Sequence, residues 1–304
     1  MNLRTFPQPS DTRRQHGFSL VELAMVLLVV GFLAALFLPA TNTMMDNNRR
    51  KETRTKLEAL EAAMTRFVMT NRRLPCPADG SLGPGDANQG LEQRTPVTGV
   101  CTAIDTGLVP WRTLGIPQDA ATDAWGSLVT YRVWVSAANA LTQLNGMDMS
   151  DCNPVGGATT DVGACRGDNT TSPFNWLTVD GSPTDARGFR ACAGDVAGLG
   201  CGAELASKAL GNGVAYFLIS HGANKFGAYN TNGTLLPVNG PGPGEREQIN
   251  GNGQPFRNNS ATGVDFYIDA DLDENPASYY DDIVLRPTVI KVALDAGLGP
   301  RVTP

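Results

Sequence analysis

The feature that most constrains this chain is an apolar run near its N-terminus. Residues Phe18 to Leu38 contain only two polar side chains, Ser19 and Glu22. As a helix, about 20 residues span roughly 30 Å, which is the thickness of the hydrocarbon core of a bilayer. A carboxylate within such a segment costs about 3 kcal/mol to insert, and it usually marks a function. The run therefore predicts a membrane-spanning helix in which Glu22 has a specific role.

Three interpretations of the apolar run compete. A plain membrane anchor accounts for its length but not for Glu22. A cleavable secretory signal accounts for the preceding Arg13 and Arg14 and for the small residue at Ala40. The apolar core of such a signal seldom carries an acid, however. The two arginines also lack the hydrophobic context of a twin-arginine export signal. The third interpretation is a family resemblance.

The stretch "GFSLVELAMVLLVVGFLAALFLP" resembles the N-terminus of type IV pilins and type II secretion pseudopilins. The resemblance implies that residues 1–17 are a basic leader, which a prepilin peptidase removes by cutting between Gly17 and Phe18. It also implies methylation of the new N-terminal residue, Phe18. Glu22 then falls fifth in the mature chain, where the family has its glutamate.

The resemblance gives Glu22 a physical role in assembly. A buried acid and a buried ammonium are each strongly disfavoured unless they pair. In the family this glutamate faces the N-terminal amine of a neighbouring subunit, and the pair sets the axial register. The alternative is a carboxylate that reaches back to the membrane interface. Gly31 and Pro39 fall where type IVa pilins often have helix-loosening residues, and Pro39 is expected to kink or loosen the helix.

The charge distribution argues against nucleic acid as a partner. The chain has a net charge of -6, and beyond residue 17 it has 21 basic against 29 acidic residues, or -8. An acidic body binds nucleic acid poorly. Basic residues flank the apolar run on both sides, so the positive-inside rule does not set its orientation. The basic cluster from Arg49 to Lys56 is expected to face solvent or lipid headgroups.

The cysteines indicate an oxidising compartment. All six lie beyond the apolar run, in Gly-rich surroundings without a C-x-x-C pair, which favours disulfides over a zinc site. Loop length alone favours pairing between neighbours in sequence. The disulfide candidates are Cys76, Cys101, Cys152, Cys165, Cys192 and Cys201.

The helix is expected to continue beyond the membrane segment as an amphipathic stalk. Its apolar residues recur at helical spacing, which predicts one face packed against a sheet. Charged residues such as Glu58 and Arg66 take the opposite face, and Leu74-Pro75 should end the helix. The predicted apolar face consists of Leu57, Leu60, Met64, Phe67 and Val68.

The remainder of the chain is expected to form an antiparallel sheet. Alternating, β-branched and aromatic segments predict strands, and the Gly- and Pro-rich segments between them predict loops. Residues 137–213 read as a loop-rich insertion pinned by disulfides, and residues 237–260 as a long loop. "DAWG", "LPCPA" and "DDIV" also resemble pseudopilin heads. The predicted strands are residues 128–135, 214–220, 264–268, 281–287 and 288–294.

Two clusters invite a chemical interpretation. Asp269, Asp271 and Asp273 have the spacing of the first half of a calcium loop, but Glu274 replaces the glycine that an EF-hand requires. The resemblance implies a calcium site near this region, and a solvated acidic turn is the alternative. Ser220 and His221 are adjacent, so on a strand they point to opposite faces and do not form a catalytic pair. No catalytic residues are predicted.

Together these observations predict an α+β, pilin-like fold: a long kinked N-terminal helix on an antiparallel sheet, with a loop-rich, disulfide-pinned head. The expected parts are the leader 1–17, the transmembrane half 18–39, the amphipathic half 40–73 and the head 74–304. The predicted function is a non-enzymatic minor pilin or pseudopilin of a type IV pilus-like filament. A type II secretion pseudopilin and an adhesive or substrate-binding pilus tip are the alternatives.

The resemblance also implies partners and a location. The expected partners are prepilin peptidase, other pilin or pseudopilin subunits, an inner-membrane assembly platform and membrane lipid, with no nucleic acid. The subunit would cross the inner membrane once with its head in the periplasm, and would then enter a cell-surface or periplasm-spanning filament. No cofactor is expected apart from calcium.

Overall fold

A computed structural model describes ten segments of the 304-residue chain. They are residues 19–95, 100–103, 106–135, 141–150, 188–193, 204–206, 213–237, 245–252, 266–276 and 278–299. The side chains of residues 34–43 also lie outside the description. The chain divides into two compact units, Met1–Asn48 and Arg49–Pro304.

One long helix, α1, runs from Leu20 to Asn71. Its assignment continues through Pro39, so the expected continuous helix is present, while loosening at Pro39 stays a prediction. The helix ends two residues earlier than expected, at Asn71, because Arg72 adopts a positive φ of 54°. The Arg72 amide still donates to the Val68 carbonyl over 2.7 Å. A residue in this left-handed conformation is the usual stop for a helix.

Within the part of the chain that the structure describes, no helix is both long and apolar enough to cross a membrane.

The second unit contains the sheets. A five-stranded antiparallel sheet has the strand order β1-β2-β4-β7-β10, and β7 is its best-paired member. Strands β3 and β8 form a separate antiparallel pair, and β6-β5-β9 form a third sheet in which β5 and β9 are parallel. The strands are β1 (Ala78–Asp79), β2 (Gly107–Leu108), β3 (Ser127–Leu128), β4 (Thr130–Val133), β5 (Arg190–Cys192), β6 (Glu204–Ala206), β7 (Tyr216–Ser220), β8 (Tyr229–Asn230), β9 (Phe266–Ile268) and β10 (Ile283–Leu285).

The predicted apolar face of the stalk is buried in the main core. Leu57, Leu60, Met64 and Val68 are almost inaccessible to solvent and belong to the same cluster as the side chains of β4 and β7. Phe67 is half-buried. Each fully buried aliphatic side chain contributes about 2 kcal/mol through removal of apolar surface from water. The prediction of an α+β fold with a helix packed on an antiparallel sheet is confirmed.

Two predictions about the C-terminal part were wrong. Residues 288–294 do not form a strand, because Val289–Asp295 is a helix, α3. The Thr288 hydroxyl caps it by accepting from the Lys291 amide, and Val289, Val292 and Ala293 bury one face. The predicted loop 237–260 contains a short helix, α2, at Glu245–Asn250. Tertiary contacts override the local Gly and Pro composition there, since α2 packs against β9.

Three of the six cysteines lie within the described residues. Cys76 and Cys101 form one, which is the first of the expected neighbour pairs. Cys192 is also disulfide-bonded, and its partner lies outside the described residues. Cys152, Cys165 and Cys201 lie outside them as well, as does most of the predicted insertion at 137–213.

Candidate functional site

The first candidate site is the start of α1. Glu22 lies in the first turn of this helix and is exposed. The helix opens with a hydrogen bond from the Leu23 amide to the Ser19 carbonyl over 3.0 Å. A carboxylate is favoured at this end by the partial positive charge of the helix N-terminus. The predicted processing residues, Gly17 and Phe18, lie outside the described residues.

The side chains around Glu22 are apolar and uncovered. Exposed large hydrophobic residues run from Leu20, which is 85% exposed, to Leu33, which is 47% exposed. They include consecutive positions such as Leu27 to Val30, so they surround the helix instead of forming one face. A Cβ added at Gly31 would meet nothing within 4 Å, so no intramolecular contact requires glycine there. A helix apolar on all sides needs an apolar environment, either lipid or other helices.

The three aspartates predicted to bind calcium do not converge. Asp269 accepts from the Arg286 guanidinium, and Asp273 accepts from the Ser278 hydroxyl over 2.7 Å. Asp271 is exposed. Within the described part of the chain these carboxylates form no group close enough to share an ion. The interpretation as half of a calcium loop is therefore not supported at these positions.

The structure instead brings together three other carboxylates, which we call the acidic cluster: Glu247, Asp281 and Asp282. One oxygen from each lies within 4.8 Å of the other two, and all three residues are buried. Glu247 comes from α2, and the two aspartates directly precede β10. Sequence reasoning noted the Asp281-Asp282 pair only as part of "DDIV", and it missed Glu247 because this residue lies in a segment predicted to be a loop.

Hydrogen bonds hold the acidic cluster in place but leave some of its oxygens unpaired. The Asp281 amide donates to Glu247 over 3.1 Å, and the Ala223 amide donates to Asp281 over 2.7 Å. The Asn250 side chain donates to Asp282 over 2.9 Å. Oδ1 of Asp281 and Oδ1 of Asp282 have no hydrogen-bond partner. Unpaired buried carboxylate oxygens are costly, so they indicate a missing proton or cation.

A nearby imidazole has an unpaired nitrogen as well. His221 is completely buried, and its Nδ1 atom lies 3.6 Å from Oδ1 of Asp282 without a hydrogen bond. Within the described residues, no lysine or arginine nitrogen lies within 4.0 Å of the three carboxylates. Within the described residues the acidic cluster therefore has no lysine or arginine to balance its charge, and His221 is the basic side chain beside it.

The electrostatics of the acidic cluster follow from this arrangement. Burial, reinforced by the negative charge of Asp282, raises the pKa of Glu247 from 4.5 to about 8. Burial and the charge of Asp282 also raise the pKa of Asp281. Oxygen donors of this kind suit a hard divalent cation such as Ca²⁺. The cluster can thus hold either a shared proton or a divalent cation.

The polar side chains at the end of β7 do not form a hydrolytic site. The Ser220 hydroxyl donates to Asp123 over 2.7 Å, while Nε2 of His221 lies 2.9 Å from the Thr130 hydroxyl. The two neighbours thus have different partners, as expected from their alternation on a strand. Ser220, His221 and Thr130 are fully buried, which keeps the hydroxyls away from any substrate in solution.

Comparison with known proteins identifies the N-terminal segment. The model of the prokaryotic N-terminal methylation motif matches residues 12–38. The chain is 32% identical over 68 residues to the type II secretion system core protein G of Klebsiella pneumoniae, covering 22% of this chain and 49% of that protein. The same protein of Klebsiella michiganensis is 32% identical over 66 residues, or 22% and 46% of the two chains.

These matches confirm the resemblance predicted from the sequence. The chain carries a prepilin-type N-terminal methylation motif, and it resembles a type II secretion pseudopilin over that region. It spans about half the length of the curated relatives that it matches. No solved structure matches it.

Proposed function

We propose that this protein is a structural subunit of a type IV pilus-like filament, as a minor pilin or a pseudopilin. The observation that carries the proposal is the methylation motif at residues 12–38, with Glu22 in the first turn of an apolar helix. The motif implies processing by a prepilin peptidase and assembly with other pilin-like subunits. Neither role requires catalysis by this chain.

In the proposed mechanism, Glu22 selects the neighbouring subunit. Cleavage after Gly17 leaves a positively charged amine on Phe18, four residues before the carboxylate of Glu22. Within an apolar medium the two charges attract strongly, because little water screens them. Pairing between copies satisfies both charges, and contacts of this head-to-tail kind extend into an open helical polymer. The surrounding leucine and valine side chains then pack against other helices.

The same proposal places the protein in the inner membrane before assembly. The subunit would wait there as a single-span protein anchored by residues 18–39, with its head in the periplasm and with the assembly platform and lipid as partners. The Cys76–Cys101 disulfide supports an oxidising location for the head. Assembly would then move it into a cell-surface or periplasm-spanning filament.

Two measurements test this function. Intact-mass analysis of the membrane form should show loss of residues 1–17 and gain of one methyl group. Glu22→Ala should reduce incorporation into filaments at least tenfold while membrane insertion stays normal. Glu52→Ala is the matched control, because Glu52 is an exposed helix glutamate whose contact with Lys56 is a surface pair of little energy. Normal incorporation of the Glu22 variant, or a native chain that still begins at Met1, contradicts the proposal.

A binding role at the filament tip is the second candidate, and it depends on the predicted insertion. Residues 190–192 and 204–206 belong to a sheet, and Phe189 lies in the core. A deletion that probes the insertion should therefore stay within residues 151–187. A purely structural subunit keeps its assembly after this deletion, whereas an adhesive or substrate-binding tip keeps assembly and loses its binding.

We also propose that the acidic cluster binds Ca²⁺ and thereby stabilises the head. The support is geometric: three buried carboxylates within 4.8 Å, two unpaired oxygens and no lysine or arginine partner among the described residues. Calcium at millimolar concentration should raise the melting temperature of the full-length protein, and Glu247→Gln should abolish the rise. Asp271→Asn is the matched control, since Asp271 is exposed and outside the cluster. No shift in the wild-type protein rules out the site.

A further inference from the structure

The end of the stalk helix carries two consecutive arginines, and each pairs with an acid from a different segment of the head. Arg72 pairs with Asp148, and Arg73 pairs with Glu92. We call these four residues the stalk-end clamp. The partners are 76 and 19 residues apart in sequence, so only the folded head brings them together.

The Arg73–Glu92 pair is bidentate and largely sheltered. Nη1 and Nη2 of Arg73 donate to the two oxygens of Glu92 over 2.8 and 2.7 Å. The side chains are 12% and 19% exposed, respectively. The guanidinium also stacks over the ring of Phe67, 5.1 Å from its centre. Paired donors in this geometry are the strongest arrangement for an arginine and a carboxylate.

Glu92 also contacts the backbone of a disulfide-bonded cysteine, Cys76. One of its oxygens accepts from the Cys76 amide over 2.9 Å, in addition to the arginine. Isolated backbone bridges join Ala78 to Glu92 and Arg94 to Cys101, so both ends of the disulfide lie beside this acid. Cys76 and Cys101 are 0% and 3% exposed. A reductant in solution can therefore reach the sulfur atoms only when this part of the head opens.

The second ion pair of the stalk-end clamp, between Arg72 and Asp148, joins the end of α1 to residues 141–150. Nη1 of Arg72 donates to Asp148 over 2.8 Å, and the Asp148 side chain is only 1% exposed. The Ser150 hydroxyl and amide donate to the other oxygen of Asp148. A backbone hydrogen bond joins the same two segments: the Met147 amide donates to the Arg72 carbonyl over 2.9 Å. The Leu74 amide likewise donates to the Leu141 carbonyl over 2.9 Å.

Both acids of the clamp are held in the ionised form. Burial acts to raise the pKa of Glu92, but hydrogen bonds from Arg73 and the Cys76 amide outweigh it, so the pKa is lowered. Arg94 also faces Glu92, as does Tyr131 from β4.

The same balance applies to Asp148. Burial acts to raise its pKa, but hydrogen bonds from Ser150 and the charge of Arg72 outweigh it and lower the pKa. An acid with a lowered pKa stabilises the fold above its ordinary pKa and loses that stabilisation as pH falls through the folded value.

We propose that the stalk-end clamp is an acid-released latch: protonation of Glu92 and Asp148 frees the Cys76–Cys101 loop and residues 141–150 from the end of α1 while the central sheet stays folded. The latch shares no residue with the acidic cluster or with residues 18–39, so it does not depend on the proposed function. Its opening has a direct chemical consequence, because it exposes the buried disulfide to reduction.

The rate of disulfide reduction tests the latch. The full-length chain in detergent is treated with a phosphine reductant between pH 3 and pH 7, and each rate is divided by that of the urea-unfolded chain at the same pH. The normalised rate for Cys76–Cys101 should rise at least tenfold as pH falls through the lowered pKa values of Glu92 and Asp148. Glu92→Gln should be reduced rapidly at every pH, with little remaining pH dependence. Glu61→Gln, which removes an acid paired with Lys291 elsewhere on the stalk, should behave as the wild type.

Hydrogen exchange separates release of the latch from global unfolding. At the acid end of this titration the amides of Leu74 and Met147 should exchange at least tenfold faster relative to their intrinsic rates than at pH 7. Amides of β4 and β7 should keep their protection. Asp148→Asn should deprotect Met147 at neutral pH while Leu218 stays protected. A pH-independent reduction rate in the wild type, or loss of protection in the sheet together with the latch, overturns the proposal.

Discussion

The head contains two sets of buried or half-buried carboxylates whose pKa values are shifted in opposite directions. In the stalk-end clamp, arginines and amides outweigh burial and lower the pKa values of Glu92 and Asp148. In the acidic cluster, burial and mutual repulsion raise the pKa of Glu247 to about 8. A buried acid therefore stays charged only where the fold supplies donors, and otherwise it must take up a proton or a cation.

The comparison predicts the shape of the stability profile in the absence of calcium. The clamp contributes stability that is lost as pH falls below the ordinary carboxyl range. Glu247 acts in the other direction, because its folded form keeps a proton between pH 4.5 and about 8 while the unfolded form has lost it. The free energy of unfolding should thus fall on both sides of its maximum. The loss at acid pH is assigned to the stalk-end clamp, and the loss at alkaline pH to the acidic cluster.

The largest expected effect comes from removing one partner of the clamp. Arg73→Ala leaves Glu92 sheltered without its guanidinium, and breaking a buried pair in this way costs about 3 kcal/mol. Urea unfolding at pH 7 measures the loss. The difference between variant and wild type should shrink as pH falls through the lowered pKa of Glu92, because the protonated acid no longer needs the guanidinium. An equal loss at both pH values means that Arg73 acts through packing alone.

The second effect has the opposite sign. Glu247→Gln removes one of three like charges that have no lysine or arginine partner among the described residues, so at pH 8 without calcium it should stabilise the head by about 1 kcal/mol. Thermal unfolding in the presence of a chelator measures this, and the gain should vanish at pH 4, where the wild-type acid is already protonated. Destabilisation at pH 8 indicates that the bonds from Asn224 and Asp281 to Glu247 outweigh the repulsion.

A third substitution separates the two arms of the clamp. Asp148→Asn keeps the shape of the side chain but removes the charge that faces Arg72, so it should cost about 1 kcal/mol at pH 7. Its effect should add to that of Glu92→Gln only partly, because both acids bind the same helix end. A double-mutant cycle by urea unfolding gives the coupling, and strict additivity contradicts a shared latch.

The smallest effect belongs to an ion pair on the surface. Lys291 contacts Glu61 and Asp295, and its side chain is 52% exposed. Solvent and salt screen such pairs, so Lys291→Ala should cost at most about 0.5 kcal/mol. Chemical unfolding at low and high salt checks this value. If Lys291→Ala lowers the free energy of unfolding as much as Arg73→Ala does, burial does not explain the difference between the Lys291 and Arg73 ion pairs.

The parts of the protein that were predictable depend on contiguous patterns. The motif around Glu22 lies within a few residues, and the stalk face from Leu57 to Val68 repeats at the period of one helix. The strands at 130–133, 216–220, 266–268 and 283–285 lie within segments that were predicted as strands. The short strands at 190–192 and 204–206 were missed, because they lie in the predicted loop-rich insertion. The helix α3 was missed because its valines and isoleucine favour strands locally. The helical form is stabilised instead by the N-cap at Thr288 and by burial of one helix face.

The sequence by itself thus determined the prepilin-type terminus, the long helix with its buried face, and the α+β class. Only the tertiary structure decided which acids are charged. Glu247 meets Asp281 across 34 residues, and Arg72 meets Asp148 across 76. The protonation state of a carboxyl depends on groups within a few ångströms and on its distance from water. Neither quantity is encoded by spacing along the chain.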